Sequence, residues 1–242
     1  MKKYFLIAVL FTVIVFLPKS ASAQAPSPMT SSIDFLSRQI QYDSMTMNTM
    51  MTRSDDKQRT KSGGTKAPVK KVARETSTFT PSGSLIMPRE FANEFGKTPQ
   101  EKRDAEAAFA QGLGVVEDLK KQKGFAANDV ARASSLLFIN CLATYSGKDL
   151  TQKQKDGIYS TFKNLYETDE YFQSLSDKQR QRVYETNGIL WMFVSTYFRL
   201  AEEKGDRESL QKSRDTAEYI FNQFIGVPIT SIRLKPDGFE ID

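Results

Sequence analysis

Glu185, with Tyr184 before it and Asn187 two residues on, stands where the stretch DKQRQRVYETNGILWMFVSTYFRLAEEKG turns from charged to apolar around the only tryptophan, Trp191. On a helix, Glu185 shares a stripe with Gly188, Met192, Ser195 and Arg199. That stripe aims its carboxyl toward the buried zone just where the zone begins. A carboxylate there must be paired or have its pKa raised, and a raised pKa is what a general acid needs. A hydrolase with Glu185 as general acid or base, and Tyr184 and Asn187 beside it, is the enzymatic reading. Glycoside hydrolysis requires a second carboxylate at a set separation. Glu167, Asp169 and Glu170 are candidates for it only by proximity in sequence. The competing reading is a structural carboxylate that pairs with an arginine or caps a neighbouring helix.

Other chemistries are narrower. Met45, Met47, Met50 and Met51 cluster in MTMNTMM, and thioethers are soft ligands that select Cu(I). A soft-metal binder built on residues 45–51 is therefore a second alternative, against the apolar face of a short helix. Ser160 and Lys163 match a Ser-x-x-Lys pattern, but mid-helix and without the partner motifs that penicillin-recognising enzymes carry. The sequence has no histidine, which removes Ser-His-Asp and Cys-His nucleophile pairs and histidine-ligated zinc. Cys141 is the lone cysteine and lies in the apolar run LLFINCL, where a free thiol behaves as a small hydrophobe. Phosphate-loop, dinucleotide and EF-hand patterns are absent, and nothing in the sequence calls for a cofactor.

The first residues, MKK, then the apolar run Tyr4 to Leu17, then Pro18 and Ala21-Ser22-Ala23, have the anatomy of a secretory signal peptide, with cleavage expected after Ala23. The run falls short of the roughly 20 apolar residues that a spanning helix needs. No later stretch is long enough to span a membrane. Residues 24–78 read as a flexible tether, Pro/Ser-rich at first and then basic, too poor in apolar residues to offset the entropy of ordering. Within it, Ile33, Leu36, Ile40, Met47 and Met51 admit a short amphipathic helix. The chain carries 34 Lys+Arg against 29 Asp+Glu, yet the excess sits in the signal peptide and tether. From Ser77 onward there are 22 basic and 24 acidic residues. A nucleic-acid domain would concentrate positive charge on its folded surface, so that class is set aside.

Residues 79–242 carry regular helix punctuation. Thr98-Pro99 with Glu101, Thr151 with Gln154 and Ser176 with Gln179 are capping-box starts, and Gly147, Gly205 and Gly226 are stops. The spacing predicts five main helices over 99–123, 129–146, 152–173, 177–204 and 207–225, with a short one over 88–95. The second begins at an expected cap, Asn128. Stretches 133–145 and 189–201 are apolar nearly all round, which marks helices enclosed by others. Gly112 and Gly114 are expected to loosen the first long helix. An all-α, irregular bundle follows. Alternation at Ile232/Leu234 and Phe239/Ile241 around Pro236-Asp237-Gly238 admits a small C-terminal β-hairpin.

The stretch from SGKDLTQKQ through FQSLSDKQRQRVYETNGILWMFVSTYFRLAEEKGD, with its Asp-x-x-x-Gln-x-x-Tyr-Glu at Asp177, Gln181, Tyr184 and Glu185, resembles an exported bacterial domain family of unknown function. The resemblance covers about residues 88–241. It implies a helical domain behind a signal peptide and a variable linker, and it implies no activity. The expected function is an exported binding or structural module of the cell envelope, secreted or periplasmic, whose partner is a protein or another envelope component.

Overall fold

The computed structural model describes residues 76–122 and 125–242. The expected signal peptide and nearly all of the tether, including Met45, Met47, Met50 and Met51, lie outside the described residues. Seven α-helices and one two-stranded sheet follow from Met87 onward: α1 (Met87–Phe95), α2 (Pro99–Gln122), α3 (Val130–Ser146), α4 (Gln152–Thr168), α5 (Glu170–Ser174), α6 (Asp177–Lys204), α7 (Arg207–Ile225), β1 (Ile232–Lys235) and β2 (Gly238–Ile241). Among the described residues, no helix is long and apolar enough to cross a membrane.

Capping residues set most of these boundaries by satisfying backbone N–H groups that a first turn leaves without partners. Thr151 with Gln154 and Ser176 with Gln179 form reciprocal capping boxes on α4 and α6. Glu101 accepts from the backbone of Lys97 at 2.8 Å and Thr98 at 3.0 Å, and those bonds hold its carboxyl below the usual range. Gly147, Gly205 and Gly226 end their helices in left-handed conformation.

Two boundaries differ from the expectation. The helix expected over 152–173 stops at Thr168, because Asp169 turns extended (φ −81°, ψ 119°) and its side chain caps α5 through the Phe172 N–H. Asn128 is not the cap of α3. It takes a positive φ of 55°, and Asp129 caps the helix instead.

The bundle is organised around α3, which packs against α4, α6 and α7 and buries residues on every side, among them Ala133, Leu137, Phe138 and Cys141. Phe138 packs edge-on or tilted against Phe162, Phe221 and Phe239 at centroid distances of 4.5 to 5.4 Å. A second, smaller core joins α1, α2 and the middle of α6 through Met87, Phe91, Phe109, Leu113 and Ile189. The α6 helix departs from the sequence reading. Its enclosed segment is 183–190, whereas Trp191, Met192, Phe193, Tyr197 and Phe198 are only partly buried. Gly112 serves close packing: a Cβ there would stand 1.9 Å from Met192 Sδ, so α2 and α6 meet over a bare backbone. Gly114 faces open space.

The C-terminal hairpin pairs Ile232 with Ile241 and Leu234 with Phe239. Phe239 reaches into the main core. The turn lies directly on α4 at Gly157, where a Cβ would meet the Asp237 carbonyl carbon at 2.2 Å.

Candidate functional site

The first half of α6 lays a row of polar side chains against an extended strap, residues 76–86, that runs ahead of α1. Position explains the row. Arg180, Gln181, Tyr184 and Glu185 fall at i, i+1, i+4 and i+5, which on a helix is one broad face, and all four are buried. The strap forms no backbone–backbone ladder of its own, so its backbone groups need partners elsewhere; this face supplies many of them, and Asn128 and Val130 at the start of α3 supply two more.

Glu185 is 1% exposed. Its Oε2 accepts the backbone N–H groups of Ile86 and Met87, both at 2.8 Å. Its Oε1 accepts from Gln181 Nε2 at 2.6 Å. Ile86 is the N-cap of α1 and has no capping side chain of its own, so Glu185 caps that helix from across the core. Negative charge at a helix N-terminus is favourable. Gln181 continues the clasp: its Oε1 accepts from Ser82 N at 2.8 Å and its Nε2 donates to Ser84 O at 2.8 Å. Arg180 closes the far end, donating to the carbonyls of Thr76, Thr78, Phe172 and Gln173 at 3.1 to 3.3 Å. Arg182 pairs with Glu90 on α1.

Tyr184 faces a different neighbour. Its hydroxyl accepts from Lys120 Nζ at 2.8 Å, and the same ammonium lies 4.5 Å from its ring centroid. Lys120 is 1% exposed. Burial lowers its pKa, partly countered by Glu117 at 3.4 Å. Beside it, Asp129 accepts from Ser77 Oγ and Tyr159 Oη, each at 2.8 Å, and an antiparallel bridge joins Thr78 to Asp129. Burial and the bond to Asp129 push the Tyr159 phenol up to about 12.

Asn187 faces α3. Its Nδ2 donates to Ser134 Oγ at 2.8 Å, and Ser134 shares a hydrogen bond with Tyr166 at 2.9 Å. The three candidate side chains therefore turn to three neighbours: Glu185 to the strap, Tyr184 to α2 and Asn187 to α3. No second carboxylate is among Glu185's partners, and Asp169 is engaged as the cap of α5. Asn140 bridges α3 to α6, donating to Trp191 O at 3.2 Å and Ser195 Oγ at 2.9 Å. Ser160 donates to Asp156 O within its own helix, and Lys163 stands 4.0 Å from Glu167. Among the described residues, no group of three or more His, Cys, Asp or Glu could hold a metal ion.

Lys120 and Arg180 were not singled out from sequence. For Lys120 the signal is present: it continues the Phe109, Leu113, Val116 stripe at helical spacing, so the stripe that buries those three buries the lysine as well.

These positions meet in one motif. Gln181, Tyr184 and Glu185 join strap, α2 and α6, and Asp177 sits in the first turn of α6. The chain belongs to a family of unknown function, DUF6683, whose model matches residues 1–242. No curated protein and no solved structure matches it.

Proposed function

We propose that the chain is an exported helical binding or structural module of the cell envelope, with its motif residues devoted to holding the strap on the bundle. The observation that carries this reading is the occupancy of Glu185: both carboxylate oxygens are engaged, by three N–H donors. Three of the roughly four acceptor sites of this carboxylate are filled by donors of the chain itself and the group is 1% exposed, so it serves as a cap. The export half of the proposal rests on the N-terminal MKK, the apolar run and Ala21-Ser22-Ala23.

Affinity capture from an envelope extract tests the reading, with the chain from Gln24 and a version lacking residues 24–75 as baits. The expected result is one envelope component held by both baits and competed away by free protein. Capture of nothing, together with hydrolytic activity lost in Glu185→Gln at unchanged stability, would transfer the function to an enzyme.

A further inference from the structure

Arg132, in the first turn of α3, has an unusual setting for an arginine that is only partly buried. Its guanidinium lies between two aromatic rings, 3.8 Å from the centroid of Phe125 and 3.3 Å from that of Tyr159. Contact with both rings restrains the group, whose N–H donors lie around its planar edge. Its Nε is buried without a hydrogen-bond partner, and no ion pair joins its terminal nitrogens to a carboxylate among the described residues.

The neighbouring acids are engaged elsewhere. Asp129 Oδ1 accepts from Ser77 Oγ and from the Arg132 backbone N–H, and its Oδ2 accepts from Tyr159 Oη. Asp156 Oδ1 accepts from Gln152 Nε2. Burial disfavours the charged form of Arg132, while the Tyr159 phenol, through charge and a side-chain hydrogen bond, and the carboxylates of Asp129 and Asp156 favour it. The Tyr159 hydroxyl holds Asp129 Oδ2 away from a fork-to-fork pairing with the arginine. The result is a charged guanidinium that meets the Tyr159 hydroxyl and has terminal N–H donors left over for an acceptor from outside.

We propose that Arg132 anchors an oxyanion site: the edge of its stacked guanidinium takes a single carboxylate or phosphate group from a ligand. The proposal deepens the binding-module reading and rests on it in holding that the chain binds a partner. Chemistry favours this ligand class, because a planar fork matches two oxygens of one acid group. Lys120 and Arg132 stand among three carboxylates, Glu117, Asp129 and Asp156, so the site lacks the excess positive charge that a polyanion needs. Selectivity comes from fork geometry, and the affinity is expected to be weak and only moderately salt-dependent.

The test follows the Arg132 Nε–Hε NMR signal and the melting temperature of the mature chain at constant ionic strength. Sodium phosphate, sodium acetate, a glutamate-containing peptide and its glutamine counterpart are titrated against a chloride control. A phosphate response alone identifies a free or headgroup phosphate. A response to acetate and the glutamate peptide, but not the glutamine one, identifies a protein carboxylate. Arg132→Lys, which keeps the charge and loses the fork, is expected to abolish the anion-dependent shift. Tyr159→Phe keeps the ring but releases Asp129 Oδ2, and is expected to weaken binding about tenfold or more as Asp129 turns to the arginine. An unmoved Arg132 signal with every probe, or an equal anion-dependent change of melting temperature in Arg132→Lys, overturns the site. An envelope partner captured without any anion response would leave the module reading standing and remove this one.

Discussion

The backbone N–H of Met87 donates to the carboxylate of Glu185, 98 residues further along the chain, at 2.8 Å. The start of α1 is therefore specified by a side chain of α6, and no residue near α1 in sequence supplies its cap.

Removing that carboxylate has a definite cost. Glu185→Ala leaves the Ile86 and Met87 donors buried without an acceptor, and is expected to lower stability by about 2–4 kcal/mol. Glu185→Gln is expected to cost less, because its carbonyl still accepts at one position. Its amide meets an N–H donor at the other: Gln181, oriented by Ser82 and Ser84, cannot reverse to accommodate it. Urea denaturation of both variants checks this, and unchanged midpoints would show that the cap contributes nothing.

Gly157→Ala should be more damaging than a surface helix substitution of glycine normally is. The added methyl meets backbone atoms of Asp237 and Gly238, which cannot rotate away as a side chain can. A loss of about 1–3 kcal/mol is expected, with faster amide exchange in β1 and β2. Protection of the hairpin at the wild-type level would contradict the packing.

Lys120 makes stability depend on pH in the alkaline range. Burial lowers its folded pKa below the ordinary 10.5, so between those two values the unfolded chain binds the proton more strongly. Raising the pH through that window therefore stabilises the folded state, and lowering it removes the gain. The stability difference between wild type and Lys120→Met should shift toward the wild type as pH rises toward 10.5. A flat difference would mean that the ammonium is not disfavoured by its site.

Cys141 is fully buried, and burial alone drives its thiol far above the ordinary range. An aromatic disulfide reagent should label it only as denaturant unfolds the chain. Prompt labelling of the native protein would contradict the packing of α3.

Much of this architecture was written in local signals. Thr98, Thr151, Ser176, Gly147, Gly205 and Gly226 fixed helix ends because caps act within one turn. The break at Asp169 was missed because Tyr171 and Phe172 continue an apolar spacing that the backbone does not follow. The half-exposed aromatic end of α6 reads as core in the sequence because composition reports apolarity, while burial depends on which helices stand alongside. The clasp was legible only in part. The burial of Glu185 could be inferred from its stripe, but its partners Ile86 and Met87 are backbone groups, which leave no trace in residue type. The Arg132 sandwich joins residues from a loop, α3 and α4, and no spacing along the chain encodes it.

The strap has a mechanical consequence. Tension on the chain ahead of Thr76 enters through the Thr76 carbonyl, which is held by Gln173 Nε2 at 3.2 Å and Arg180 Nη1 at 3.1 Å. It passes next to the Thr78–Asp129 bridge, then to the Gln181 and Glu185 contacts. These fastenings follow one another along the strap, and between them Phe79 is seated in the main core against Tyr184. A pull must detach the Thr76 and Thr78 fastenings before it reaches Phe79 and the core behind it, so the first residues of the strap work as a strain relief, like the clamp that keeps a tugged cable from loading its solder joints.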